Sequence, residues 1–180
     1  MKVLIAEDDP DIALTYKLGL ERKNHQVTTL INGEDCLKRY NEELHRMTFN
    51  PESNQSSYCS LANNPPFDIV LLDYKMPQID GLEVAKEILS INPHQRIIFA
   101  SAYVKQTLEE SVKILNQVVE LIQKPFTIHE LINTIEDTKV YDELQKLNVD
   151  VDLVKAITPT HEQIIDLLEK VKDMEKGRTC

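Results

Sequence analysis

The sequence predicts an α/β protein: a five-stranded, doubly wound parallel sheet with helices on both of its faces. Two observations predict this class. Residues 1–138 alternate short apolar runs with helix-period apolar stripes, which gives five β–α units in succession. The run at residues 69–72 is apolar throughout, as in strands that are buried on both faces of a parallel sheet. Successive β–α units imply right-handed crossovers, and these place helices over both faces.

Each predicted strand is followed by a predicted helix with one apolar face. The strands are predicted at residues 2–6, 26–30, 69–72, 96–100 and 118–122. Asn32-Gly33 is the predicted start of the second helix, and Thr127 with Glu130 forms a predicted capping box for the last. The inward-facing residues of the five helices are, in chain order, Ile12, Ala13, Tyr16 and Leu20; Leu37, Tyr40 and Leu44; Leu82, Ala85, Ile88 and Leu89; Val104, Leu108, Val112 and Leu115; and Ile128, Leu131, Ile132 and Ile135.

The third strand ends abruptly on a carboxylate, Asp73, which precedes a predicted turn. Met76-Pro77 and Asp80-Gly81 predict the turn, because proline fixes φ and glycine opens the left-handed region. An isolated aspartate in this place would most simply cap the turn. At the carboxyl end of a buried parallel strand, however, it also lies where open α/β sheets bind their ligands.

Two segments depart from the repeating units. Residues 48–66 hold three prolines and a single charged residue without any period, which predicts a surface insertion. Residues 139–180 predict a helical extension, whose clearest helix begins at Thr158-Pro159-Thr160. The apolar face of that helix either folds back on the main domain or forms a dimerisation or partner-docking surface. The chain is thus predicted to comprise a main domain, residues 1–138, and an extension.

Composition excludes several classes of protein. The net charge of −10 argues against nucleic acid as a partner, because phosphate binding needs a basic surface. No apolar run approaches the length that spans a membrane, so membrane insertion is not expected. The three cysteines are odd in number and lack metal-ligand spacing, which predicts free thiols in a reducing cytoplasm. We therefore expect a soluble, cytoplasmic protein.

Polar side chains follow four of the predicted strands, and parallel strands bring them to one edge of the sheet. They are Glu7 and Asp8, Asp73, Ser101 and Lys124. Carboxylates that lie close together repel one another, and a hard divalent cation such as Mg2+ can balance them. A lysine suits a phosphoryl oxygen, a serine supplies a hydroxyl donor, and an aspartate can accept phosphate as an acyl phosphate. The parts predict a Mg2+-dependent phospho-accepting aspartate.

Four short motifs, in this order along residues 1–138, together resemble the receiver domain of two-component response regulators. They are Glu7-Asp8, the D-x-x-M-P-x-x-D-G run that begins at Asp73, Ser101-Ala102, and Lys124-Pro125-Phe126. The resemblance implies a flavodoxin-like fold with strand order 2-1-3-4-5.

The resemblance also implies a role for each residue of the acidic site. Asp73 would be the phosphoacceptor. Asp8 would bind Mg2+ (or Mn2+) directly and Glu7 mainly through water. Asp73 itself and the backbone carbonyl of Lys75 would complete the protein ligands.

Further residues would sense or support the phosphoryl group. By the same resemblance, Ser101 moves toward it and Lys124 pairs with it, while the peptide bond before Pro125 is cis. Leu121 stands where the family often has an aromatic ring that swings inward, which argues against an aromatic switch at this position. Tyr103 and Lys75 flank the route of hydrolytic water, so a bulky Tyr103 predicts a long-lived acyl phosphate.

The function implied is signalling rather than enzymatic catalysis. A sensor histidine kinase or a phosphotransfer protein would phosphorylate Asp73, and the chain would act through contacts with a downstream protein target, with homodimerisation through the receiver or the extension as an option. Two alternatives stay open. The first is a Mg2+-dependent phosphohydrolase with Asp73 as nucleophile, although Lys75 stands where such enzymes carry a second aspartate. The second is a pseudo-receiver that no longer accepts phosphate.

Overall fold

The computed structural model describes residues 1–48, 65–102 and 119–137. These residues form five strands: β1 (Lys2–Ala6), β2 (Gln26–Leu30), β3 (Ile69–Asp73), β4 (Ile97–Ser101) and β5 (Glu120–Gln123). Within the same residues there are four helices: α1 (Pro10–Glu21), α2 (Gly33–Thr48), α3 (Gly81–Ile91) and α4 (Ile128–Glu136). The predicted helix over residues 104–115, the predicted insertion and the predicted extension lie outside this part of the chain, apart from Thr48, Pro65 and Pro66 at the ends of the insertion.

The strands form one sheet in the order β2-β1-β3-β4-β5. β1 pairs in parallel with both β2 and β3, and β3 pairs in parallel with β4. Because β1 and β3 are neighbours, Ala6 lies opposite Leu72, and the residues that follow both strands emerge side by side. The predicted doubly wound α/β class and its strand order are confirmed.

The core is formed by β3, which the sequence predicted to be buried on both faces, together with β1 and β4. Every residue of β3 and β4 is buried, as are Val3 to Ala6 of β1. The predicted inward stripe of α1 is confirmed at Ala13, Tyr16 and Leu20. By contrast β2, at the edge of the sheet, is exposed or half-buried along its length.

The chain divides into two compact units, Met1–Ser101 and Ala102–Cys180. The first holds β1 to β4 and α1 to α3, and the second contains β5 and α4. In the second unit the predicted capping box is confirmed: the Glu130 backbone N–H donates to Thr127 Oγ1 at 3.2 Å, and the Thr127 backbone N–H donates to Glu130 Oε2 at 2.6 Å. These bonds satisfy donors that the first turn of a helix leaves without partners.

The buried face of α2 differs from the predicted one. Leu37 and Leu44 are only half-buried, whereas Cys36, Tyr40 and Glu43 are fully buried. The helix is therefore rotated by about one residue from the apolar stripe, and it turns a carboxylate inward. The rotation is tolerated because cations surround that carboxylate.

Glu43 lies in a cluster of three cations at the amino ends of the strands. Its carboxylate accepts from Lys2 Nζ, from Arg39 at 3.0 Å and from Arg46 at 2.5 Å. Lys2 Nζ also lies 4.8 Å from the centre of the Phe67 ring. Burial alone would raise the pKa of Glu43, but the hydrogen bonds from the three cations and the charge of Lys2 outweigh it and lower the pKa from 4.5 to about 2.

We expect Glu43→Gln to lower the free energy of unfolding at pH 7, because three cations lose the charge with which they pair. The loss should be only about 1–2 kcal/mol, since the Arg46 partner is largely exposed and its attraction is screened. A carboxyl group whose pKa is lowered by folding stabilises the protein at pH values above its pKa in the unfolded chain. This contribution is lost as the pH falls from about 4.5 to about 2. Urea unfolding of both proteins at pH 7 and pH 3 checks this. A difference that stays constant over that range would contradict the electrostatic explanation.

Candidate functional site

Three carboxylates meet at the carboxyl ends of β1 and β3. One oxygen from each of Glu7, Asp8 and Asp73 lies within 4.8 Å of the other two. Glu7 directly follows β1, and Asp73 is the last residue of β3. Glu7 and Asp73 are buried, with 2% and 8% of their surface exposed, whereas Asp8 is exposed. The proximity that the sequence predicted is therefore present.

The local backbone explains why Glu7 and Asp8, rather than Asp9, enter this cluster. The Glu7 backbone N–H donates to Leu30 O at 3.0 Å, which extends the pairing of β1 with β2 by one residue. Asp9 is the N-cap of α1, and its side chain accepts from the backbone N–H groups of Asp11 at 2.9 Å and Ile12 at 3.2 Å. Pro10 suits the first helical position. The Asp9 side chain therefore caps α1, and Glu7 and Asp8 are the acids that lie beside Asp73.

The donor set fits a small, hard divalent cation. Three carboxylate groups supply only oxygen ligands, which Mg2+ and Mn2+ prefer. The three charges repel one another at these separations, so a bound cation would remove an unfavourable interaction. The exposed Asp8 leaves one side open to solvent, where water and phosphate oxygens can complete the coordination.

The loop after Asp73 is held on two sides by backbone hydrogen bonds. The Tyr74 N–H donates to Ala100 O at 3.1 Å, and Tyr74 O accepts from the Gly81 N–H at 3.1 Å. Gly81 does not use the left-handed region, contrary to the sequence prediction; Gln78 does, with φ of 70°. Gly81 is required for space instead, because a Cβ there would lie 2.2 Å from Asp73 O.

Ser101 lies at the same edge of the sheet as Asp73. Asp73 is the register partner of Ala100, so Ser101 follows one residue beyond it on β4. Ser101 is buried, with 1% of its surface exposed, while Lys75 is exposed. Both are therefore on the chain segments that border the carboxylates.

The remaining predicted residues lie in the second unit. Leu121 is buried within β5, and Lys124 follows that strand and is half-buried. The Lys124–Pro125 peptide bond is cis, as the resemblance implied. Ala102 is exposed, and Tyr103 lies beyond the residues that the structure describes.

A doubly wound parallel sheet that gathers carboxylates at the carboxyl ends of its strands defines an α/β protein with a candidate ligand site at that edge. Comparison with known proteins specifies the class further. The response regulator receiver domain family matches residues 45–136, which is half of the chain. The chain belongs to this family, and the family is one of two-component signalling rather than of classical enzymes.

Individual relatives agree with this assignment. The response regulator receiver protein CpdR of Brucella abortus (strain 2308) is 27% identical over 135 residues, which cover 75% of this chain and 93% of CpdR. The alkaline phosphatase synthesis transcriptional regulatory protein PhoP of Bacillus subtilis (strain 168) is 26% identical over 133 residues, or 72% of this chain and 45% of PhoP. The chain thus spans most of one curated relative and about half of the other.

Solved structures show the same likeness. The receiver domain of the Francisella response regulator 1452 is 26% identical with a TM-score of 0.54, and the alignment covers 74% of this chain and 92% of that one. The response regulator TrrA of Thermotoga maritima, solved in complex with Mg(2+)-BeF, is 26% identical with a TM-score of 0.55, covering 76% of this chain and 96% of that one.

In the part of this chain that the structure describes, no helix is long and apolar enough to cross a bilayer.

Proposed function

We propose that this protein is a response regulator receiver that accepts a phosphoryl group on Asp73 in a Mg2+-dependent reaction. The observation that carries the proposal is the approach of the Glu7, Asp8 and Asp73 carboxylates to within 4.8 Å of one another, in a chain of the receiver family. The donor would be a sensor histidine kinase or a phosphotransfer protein. Output would pass through contacts with a downstream protein.

Glu7, Asp8, Asp73 and the backbone carbonyl of Lys75 would hold Mg2+ or Mn2+. The bound cation would neutralise the carboxylates and the phosphoryl oxygens. An Asp73 carboxylate oxygen then forms a bond to phosphorus as the bond between phosphorus and the donor breaks, and the leaving group keeps the electron pair. Because Asp73 is nearly buried and Asp8 is exposed, the donor would approach from the side of Asp8.

Ser101 and Lys124 would bind the transferred phosphoryl group. Ser101 is buried at the carboxyl end of β4, one residue beyond the register partner of Asp73, and its hydroxyl would donate to a phosphoryl oxygen. Lys124 would pair with the phosphoryl charge, with Ala102 and the cis Pro125 shaping the two loops. Leu121, already buried, offers no ring that could swing between exposed and buried positions.

The test is incubation with a small phosphodonor and Mg2+, followed by intact-mass measurement. We expect one stoichiometric phosphoryl adduct that is absent in Asp73→Asn and absent when a chelator removes the metal. Continuous turnover of the donor would indicate a phosphohydrolase instead. No adduct on a folded, Mg2+-binding protein would indicate a pseudo-receiver, and either result would overturn the proposal.

We also expect Tyr103→Ala to shorten the lifetime of the acyl phosphate several-fold. The physical reason is steric: a large ring two residues after Ser101 would obstruct the water that attacks phosphorus. The decay of the phosphoryl adduct after removal of the phosphodonor, followed by intact mass in both proteins, measures this. An unchanged decay rate would contradict the prediction.

The rest of the organisation follows from sequence and composition. We propose a receiver domain over residues 1–138, a helical extension over residues 139–180, and no nucleic-acid partner, given the net charge of −10. Burial raises the pKa of the free Cys36 thiol to about 12, so it stays protonated, and a free thiol suits a cytoplasmic location. Size measurement of a chain ending at Lys139 checks whether the extension mediates homodimerisation; an unchanged oligomeric state would exclude it.

A further inference from the structure

The residue after the acceptor, Tyr74, makes an aromatic contact with the neighbouring strand. Its ring centre lies 6.3 Å from that of Phe99, with the ring planes at 73°, the edge-to-face arrangement that aromatic pairs favour. Phe99 is completely buried in β4, two residues before Ser101, whereas Tyr74 is half-buried. Phe99 is therefore a fixed surface against which the Tyr74 ring rests.

Tyr74 and the acceptor side chain point to opposite faces of the sheet. Successive side chains alternate along a strand, and the bond from the Tyr74 N–H to Ala100 O continues the pairing of β3 with β4 past Asp73. The ring thus leaves the carboxylate side of the sheet free. The peptide unit that joins the two residues connects the ring to Asp73.

That peptide unit is confined from a third direction. Gly81, the first residue of α3, packs so closely that a Cβ would lie 2.2 Å from the carbonyl oxygen of Asp73 and 3.3 Å from the Cα of Tyr74. The Tyr74 carbonyl accepts from the Gly81 N–H. The Asp73–Tyr74 peptide is thus confined by β4, by α3 and, through the Tyr74 ring, by Phe99.

We propose that Tyr74 is a positioning residue for the acceptor: its ring, resting on Phe99, holds the Asp73–Tyr74 peptide so that the Asp73 carboxylate keeps its place beside Glu7 and Asp8. The inference rests on the proposed function of Asp73. Its physical basis is that metal binding and in-line transfer require the carboxylate oxygens within fractions of an ångström of their productive positions.

Three variants test it in the whole 180-residue chain. Tyr74→Leu removes the ring, Tyr74→Phe keeps it, and Tyr40→Leu is a matched control. Tyr40 also contacts a phenylalanine, in a stacked rather than edge-to-face pair: its ring centre lies 6.1 Å from that of Phe67, near the amino ends of the strands. Each variant is measured for melting temperature, Mg2+ affinity, and the maximal rate of adduct formation with a small phosphodonor at saturating Mg2+.

We expect Tyr74→Leu to lower Mg2+ affinity several-fold and the maximal phosphorylation rate about tenfold. Tyr74→Phe should stay within about twofold of the wild type for both, since the edge-to-face contact needs only the ring. Tyr40→Leu should lower the melting temperature at least as much as Tyr74→Leu and leave the maximal rate and Mg2+ affinity unchanged at a temperature where all variants are folded.

Two results would overturn the inference: a Tyr74→Leu protein with wild-type affinity and rate, or a Tyr74→Phe protein as impaired as Tyr74→Leu. Failure of the proposed function is distinguishable from both. In that case the wild type would form no adduct, and the dependence of Mg2+ affinity on the Tyr74 ring would still be measurable and would still decide the positioning role.

Discussion

Asp8→Asn is expected to abolish Mg2+-dependent phosphorylation and, at the same time, to stabilise the metal-free protein. The three carboxylates repel one another, so the loss of one charge should raise the free energy of unfolding by about 1 kcal/mol without metal. The same change removes a proposed metal ligand and should weaken Mg2+ binding on the order of a hundredfold. The two effects have opposite signs, which makes the result diagnostic of a metal site.

Thermal unfolding with and without Mg2+ measures both effects. Asp9→Asn is the matched control, because it removes the same charge one residue away and asparagine is an equally good N-cap for α1. It should keep the wild-type rise in melting temperature on addition of Mg2+, whereas Asp8→Asn should show none at the same concentration. Equal responses in the two variants would show that Asp8 is not a metal ligand.

Gly81→Ala is expected to lower the free energy of unfolding by about 3 kcal/mol and to slow phosphorylation of the folded fraction. The new Cβ would stand 2.2 Å from Asp73 O and 3.1 Å from Asp73 C, and these are backbone atoms that cannot rotate away as a side chain would. The strand end or α3 must therefore move. Because the displaced atoms belong to Asp73, the proposed acceptor, we expect damage to the site as well as to the fold.

Urea unfolding and intact-mass phosphorylation assays test this pair of effects. Gly19→Ala, inside α1, is the contrasting change: alanine favours a helix over glycine by up to about 1 kcal/mol, so this variant should not lose stability. If Gly81→Ala were as stable as Gly19→Ala and accepted phosphate at the wild-type rate, the close approach of Gly81 to Asp73 would matter neither for stability nor for phosphorylation.

Much of the fold and the acidic cluster could be predicted because they follow from local patterns. Continuous apolar runs specify buried parallel strands, and repeated β–α units bring their carboxyl ends to one edge. Once β1 and β3 are neighbours, Glu7 and Asp73 must emerge together. Thr127 with Glu130 specifies a capping box from sequence alone.

The features that could not be predicted depend on partners far away in the sequence. Glu43 reads as a surface residue until Lys2, 41 residues earlier, is placed beside it. The sequence predicts Gly81 as a turn residue, and only the structure shows that it packs against the carbonyl oxygen of Asp73. Asp9 is a local exception: among Glu7, Asp8 and Asp9, sequence identifies a group of acids, and the N-cap bonds from Asp11 and Ile12 show which of them belongs to α1. For Glu43 and Gly81 the local sequence allows more than one arrangement, and only contacts with distant residues decide between them.

The cluster around Glu43 has a practical consequence for engineering. Residues on both sides of the segment from 49 to 64, which lies outside the described residues, contact Lys2 or its partner. Arg46 donates to Glu43, which also accepts from Lys2, and the Phe67 ring centre lies 4.8 Å from Lys2 Nζ. β1 is five residues long, so the carboxylate site lies about 16 Å away along the strand. We therefore expect a fluorescent protein inserted between residues 50 and 64 to join the chain near the amino end of β1, with the proposed phosphorylation site at the far end of the sheet.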